Sequence, residues 1–130
     1  MKTSVLFSAA SDRWATPCDV KDALYQEFAL DFDPCPLDGV INGLAPLFSR
    51  WHGKRVFCNP PYGPGIRQWL ERGLEAACAV FLLPARTNTR WFHEICLPAA
   101  TEIRFLKGRL RFGEARHGAP FPSMVVIFGH

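Results

Sequence analysis

Along residues 17 to 29, "PCDVKDALYQEFA", apolar side chains recur at Val20, Ala23, Leu24 and Phe28, the one-sided spacing of an amphipathic helix. Thr16 stands where an N-cap residue is expected, Pro17 suits the first helical position, and Asp19 sets a carboxylate against the helix dipole. "DFDPCP" (31–36) then reads as a short strand stopped by prolines, and "KRVFCNPP" (54–61) as a second strand that also ends in proline. Helical spacing returns in "GIRQWLERGLEAAC" (65–78), with Ile66, Trp69, Leu70, Leu74 and Ala77 on one face. "AVFLLPA" (79–85) is a continuous apolar run of the kind a parallel strand shows when both of its faces are covered. "TNTRWFHEICL" (87–97) predicts a further short helix before Pro98, and "EIRFL", "RLRF" and "SMVVIF" complete the chain as strands.

Strands alternating with helices predict an α/β domain of three layers around a mostly parallel sheet. At 130 residues and 48% hydrophobic, the chain has material for one core, so residues 1–130 read as a single domain. No stretch approaches the roughly 20 apolar residues that span a bilayer, which predicts no membrane association and a cytoplasmic protein. Five cysteines lie scattered without CxxC spacing, as small buried or half-buried thiols rather than metal ligands. The net charge of +3 is uneven: residues 86–117 carry seven basic groups against three acids, a net of +4 that leaves −1 for the remainder. Such a cationic half suits an anionic partner such as nucleic acid, although a merely solvated basic face fits the same count.

In an open α/β sheet, ligands bind beyond the carboxyl ends of the strands. Three such ends carry polar or proline-marked sequence: Asp33-Pro34-Cys35, Asn59-Pro60-Pro61-Tyr62 and Pro84-Ala85-Arg86, which should line one rim. The second has a chemical use. An adenine amino nitrogen has its lone pair delocalised into the ring and is a poor nucleophile until acceptors take its hydrogens. An Asn side-chain oxygen and the carbonyl of the adjacent proline are two such acceptors, and proline holds its carbonyl in place by fixing φ. A tyrosine ring adds a stacking face for a base lifted out of its helix. The same residues also suit a plain proline-rich turn, and Asp33 also reads as a strand-end residue capping local amides.

Together with "SDRWATPCDVKDAL" (11–24), "LDFDPCP" (30–36), "FLLPARTNTRWFHE" (81–94), "IRFLKGRLRF" (103–112) and "PSMVVIF" (122–128), "RVFCNPPYG" (55–63) resembles the phage-type family of small, Dam-like DNA adenine methyltransferases, over nearly the whole chain and in order. The resemblance implies an abbreviated Rossmann-like methyltransferase fold whose final strands form an antiparallel pair. It further implies S-adenosylmethionine as cofactor and DNA in a bacterial host cell as substrate. Asn59, Pro60, Pro61 and Tyr62 would form the catalytic loop, and Asp33, Pro34 and Cys35 would approach the methionine part of the cofactor. Trp14, Thr16 and Pro17 would close the other side of that pocket. His52, His93 and His117 are not needed, because the methylated amine can lose its proton to solvent.

The segment between Cys35 and Arg55 departs from the pattern, being too short for the two strands and helix that usually hold the adenosine. Either Asp38 or Asn42 touches the ribose in an abbreviated pocket, or cofactor binding is weak or needs a second subunit, as in a homodimer. With no separate recognition domain, DNA contacts fall to Arg86, Thr87, Asn88 and Arg90 and to Lys107, Arg109 and Arg111. Two alternatives stay open: methylation of another planar amine, on an RNA base or a protein glutamine, and a catalytically degenerate DNA-binding protein.

Overall fold

The computed structural model describes residues 15–36, 43–44, 51–111 and 120–129. Helix α1 spans Cys18–Phe28 and buries Leu24 and Phe28, while Ala23 of the expected apolar face is exposed. The helix begins one residue later than predicted, with Pro17 at the N-cap position and no side chain capping it. It ends where Ala29 turns into the left-handed region at φ 51° and donates its N–H to Tyr25. The Arg55 guanidinium donates to the Phe28 carbonyl from Nε and Nη2, at 2.9 and 2.7 Å, placing positive charge at the helix C-terminus where the dipole favours it.

Strand β1 (Arg55–Cys58) pairs in parallel with β2 (Cys78–Pro84), all seven residues of which are buried, as the apolar run predicts. Between them α2 (Ile66–Gly73) buries Ile66, Trp69, Leu70 and Gly73. It stops short of the predicted face: Leu74 and Ala77 are exposed, because the chain leaves the helix after Gly73 to turn into β2. A Cβ on Gly73 would stand 2.3 Å from the Phe81 ring, so only glycine lets the helix end lie this close to the sheet. After β2, the helical segment expected before Pro98 is a π-turn over Phe92–Cys96 that runs directly into α3 (Leu97–Ala99), with Pro98 inside rather than beyond the helix.

Strands β3 (Glu102–Phe105) and β4 (Ser123–Gly129) complete a four-stranded sheet in the order β1-β2-β4-β3. Here the expectation of a mostly parallel sheet fails. β4 runs antiparallel to both β2 and β3, so β1–β2 is the one parallel pairing among the four named strands and the sheet is mixed. The predicted antiparallel C-terminal pair is present as β3 and β4, but "RLRF" is not its first member. Residues 109–111 are irregular and Phe112 lies outside the described residues. "DFDPCP" shrinks to a single parallel bridge between Phe32 and Val56, held by Phe32 N–H to the Arg55 carbonyl at 3.2 Å and Phe57 N–H to the Phe32 carbonyl at 2.9 Å.

The layers follow from the pleat. Phe57 and Val80 are register partners and share one sheet face, which meets α1 through the Tyr25–Phe57 ring contact at 5.7 Å. Phe81, one residue on, points to the opposite face, against Gly73 of α2, with Trp51 stacked on it at 6.2 Å and the edge of Phe128 at 5.7 Å. The core is thus continuous through the sheet, with α1 on one side and α2 on the other. No helix of the described residues is long and apolar enough to cross a membrane.

Candidate active site

The topology collects the polar strand ends. Because β4 opposes both neighbours, β1, β2 and β3 point the same way, and the parallel bridge gives Phe32 that direction too. Asp33, Asn59, Ala85 and Leu106 therefore all emerge at one rim, joined there by the amino end of β4. Two backbone bonds lock this rim: Ala85 N–H to the Pro122 carbonyl at 2.9 Å and Leu106 N–H to the Ser123 carbonyl at 3.0 Å. The common rim expected from the sequence is present, with Lys107 following β3 as a further contributor.

Asn59 leaves β1 half-buried, with its Oδ1 enclosed. Its Nδ2 donates to Thr16 Oγ1 at 2.9 Å, across 43 residues of chain. Thr16 does not serve as the expected N-cap, and its hydroxyl is engaged with the Asn-Pro-Pro-Tyr loop instead. Pro60 is buried and Pro61 half-buried. Tyr62 is 6% exposed, its hydroxyl donating to the Leu82 carbonyl at 3.0 Å and its ring meeting the edge of Phe121 at 5.5 Å. Burial pushes the Tyr62 phenol far above its ordinary pKa, chiefly by desolvation, with a smaller contribution from Cys58. The side chain thus enters as a neutral donor.

Asp33 is engaged at both oxygens: Oδ1 accepts the Cys35 N–H at 2.9 Å and Oδ2 accepts from Lys21 Nζ at 3.1 Å. Its side chain keeps 16% exposure against 37% for Lys21, so the ion pair opens to solvent at the lysine. Lys21 also lies over the rings of Tyr25 and Phe57, at 5.6 and 5.4 Å from their centroids. Desolvation, then the charges of Asp33 and Asp31, raise the Tyr25 phenol to about 12. Sequence reasoning missed Lys21. The available signal was its place one turn into α1, between Val20 and Leu24, where a cation bordering the buried stripe needs a partner. Pro34 and Cys35 are buried, and Gly43 closes on Pro34 so tightly that a Cβ would stand 2.3 Å from the proline's own, with Gly43 N–H donating to the Pro34 carbonyl at 2.7 Å. Trp14, Asp38 and Asn42 lie outside the described residues, as does His117.

Arg86, Thr87 and Asn88 are exposed on the loop after β2, and the Arg86 guanidinium lies 5.9 Å from the Phe121 ring centre. The loop is braced rather than open. Thr89 accepts the Phe92 N–H at 3.3 Å and donates to the Arg86 carbonyl at 2.8 Å, and His93 Nε2 sits 2.7 Å from the Thr87 carbonyl. A carbonyl can only accept, so this ring nitrogen carries the proton. Arg90 is paired with Glu94 at 3.2 Å, and Arg67 reaches the same carboxylate at 2.7 Å. These two arginines, Arg67 first, hold Glu94 below the usual carboxylate range. Arg104 contributes nothing to the basic face: it lies over Phe28 and is bonded to Glu27 and Glu102. Lys107, Arg109 and Arg111 are exposed.

A model of the family described as DNA N-6-adenine-methyltransferase (Dam) matches residues 3–129. The chain belongs to the Dam family. No curated protein and no solved structure matches it. Membership of the Dam family points to a DNA adenine methyltransferase, and the matched span takes in the whole rim, from Thr16 through Asn59 to Ser123.

Proposed function

We propose that this protein transfers a methyl group from S-adenosylmethionine to the 6-amino group of a flipped adenine in DNA, with Asn59 and the Pro60 carbonyl as acceptors for the amine hydrogens. The observation that carries this reading is the place of Asn59-Pro60-Pro61-Tyr62 at the carboxyl end of β1, with the amide anchored on Thr16, in a member of the Dam family. Three strands that share a direction beside a reversed β4 suit a Rossmann-like methyltransferase sheet with an antiparallel end.

The residues at the rim fit the cofactor. The Asp33–Lys21 pair is a carboxylate beside an ammonium, a complement to the zwitterionic amino-acid end of S-adenosylmethionine, and its lysine side faces solvent where exchange of partners is easiest. Asp33, Pro34, Cys35 and Pro17 would hold that end, with Trp14, Asp38 and Asn42 completing the pocket and Thr16 bordering it, its hydroxyl engaged with Asn59. When bound, S-adenosylmethionine supplies an electrophilic methyl group on a sulfonium.

Asn59 and Pro60 accept the amine hydrogens as the nitrogen pyramidalises, which localises its lone pair for attack. Stacking of the base on Tyr62 requires the Phe121 edge to leave that ring, and Arg86, seated over Phe121, is placed to follow it toward the nucleotide. Thr87, Asn88 and Arg90 line the same loop, while Lys107, Arg109 and Arg111 meet backbone phosphates. The proton of the methylated amine leaves to solvent.

The test is transfer of tritiated methyl from S-adenosylmethionine to DNA of varied sequence, followed by nucleoside analysis. Label in N6-methyladenine supports the reading. Label recovered only in RNA or in protein glutamine moves the substrate to another planar amine, and absence of both label and cofactor-binding heat leaves a DNA-binding protein without chemistry.

A further inference from the structure

We propose that Thr16 is a positioning residue for Asn59, tethering the carboxamide at its nitrogen so that its oxygen is the end that serves the substrate amine. The inference rests on the reading of Asn59 as acceptor and concerns how that acceptor is kept in orientation. Asn59 Nδ2 lies 2.9 Å from Thr16 Oγ1. The Thr16 side chain has no capping bond to α1 to compete for it.

Both partners precede a proline, Thr16 before Pro17 and Asn59 before Pro60. A residue in that position is pushed out of the helical region into extended backbone. The hydrogen bond therefore ties together two stiff points on different elements, the entrance of α1 and the exit of β1.

An Asn carboxamide is nearly symmetric in shape and opposite in chemistry at its two ends. If it turned over about its last torsion, an N–H would face the amine hydrogens, donor against donor, and the site would lose its acceptor. Once the oxygen is used on the substrate, the amide must still place its N–H groups, and in a half-buried site a stranded donor is costly. Thr16 supplies an acceptor for one of those N–H groups, so that with the oxygen engaged by the substrate both ends of the amide are used. A bond made at the nitrogen also polarises the amide, strengthening its oxygen as an acceptor.

The experiment compares wild type, Thr16→Val and Thr16→Ser in single-turnover methyl transfer at saturating cofactor, with S-adenosylmethionine affinity measured by calorimetry. Side-chain amide NMR of protein labelled at asparagine nitrogen provides the readout independent of turnover. Thr16→Val, close to isosteric but without the hydroxyl, is expected to slow the single-turnover rate about tenfold with little change in cofactor affinity. Thr16→Ser is expected to recover most of that rate. One Asn59 Nδ2 proton should be protected from exchange with water in wild type and Thr16→Ser and lose its protection in Thr16→Val. Unchanged exchange in Thr16→Val overturns the proposal, and so does a loss of cofactor affinity with the saturated rate intact, which would make Thr16 a cofactor contact only. A wild type that methylates no adenine sinks the functional reading, a result distinct from an active enzyme indifferent to Thr16→Val.

Discussion

Removal of one oxygen, by Tyr62→Phe, separates what Tyr62 does for the fold from what it does for a base. The hydroxyl donates to the Leu82 carbonyl at 3.0 Å in a buried setting, and Leu82 lies in the central β2. Beyond Cys58, the chain beside this part of β2 runs into Pro60 and Pro61, neither of which has an N–H to offer. The phenol thus supplies a donor where the neighbouring backbone is poor in them. Phenylalanine keeps the ring, its edge contact with Phe121 and its apolar packing, and leaves a buried carbonyl without that donor. Leaving such a group unsatisfied costs about 1–3 kcal/mol. For a domain of this size, each kcal/mol corresponds to roughly 3–6 °C in melting temperature. Urea titration and calorimetry should therefore show a loss of stability of about 1–3 kcal/mol with the urea m-value unchanged. Methyl transfer by the surviving folded enzyme should stay within about threefold of wild type, because stacking needs the ring and not the oxygen. Tyr62→Ala, which removes the stacking face as well, should lose both. A Tyr62→Phe protein that melts with wild type would refute the donor role, and one that stays folded but inactive would refute the separation of the two roles.

Asn59→Ala removes an acceptor used mainly as the transition state forms, so turnover should drop by roughly 10²-fold or more while calorimetric affinity for S-adenosylmethionine changes little. Asp33→Asn should weaken that affinity about tenfold, since a charge-assisted partner becomes a neutral one; unchanged heat of binding would confine Asp33 to pairing Lys21 and capping Cys35. Lys107→Gln or Arg111→Gln should weaken binding to all DNA sequences alike and make the salt slope of log affinity shallower by about one unit, whereas loss of Arg86 should reduce methylation more than nonspecific binding. Alkaline titration followed at 295 nm should show no phenolate near pH 10 while the protein is folded. Both tyrosines hold their protons more tightly folded than unfolded, with Tyr25 raised to about 12, so the stability this contributes is complete below 10 and is lost as pH rises from there through 12.

Elements carried by a local pattern were legible in the sequence. The stripe Val20, Leu24, Phe28 and the run Ala79 to Pro84 each bury a face that their own spacing announces, and both lie where expected. Pairing direction is not local. Ser123 to Gly129 has the same apolar run whether its neighbours lie parallel or antiparallel, and only the packed sheet reveals that it opposes both. "RLRF" alternates correctly, yet its described residues 109–111 form no strand, with Arg109 and Arg111 exposed and Leu110 only half-buried. At the site, the residue types and the shared rim were readable because proline-ended strands signal their own carboxyl ends. The Thr16–Asn59 bond, the Lys21–Asp33 pair and the Phe121 cover on Tyr62 join residues far apart in the chain, and no spacing rule connects them.

The strand order also sets a timetable. β4 follows β1, β2 and β3 in the chain but lies between β2 and β3 in the sheet. Until β4 docks, β3 has no partner among the named strands and the edge of β2 away from β1 stays bare. Any chain interrupted before Ser123 would present two unsatisfied strand edges, one of them wholly apolar, to whatever lies nearby. Insertion of β4 then closes both at once and brings Phe121 onto Tyr62 in the same movement. Closure of the sheet and completion of the candidate rim are thus coupled through one strand, so a lesion that keeps β4 from docking would undo both together.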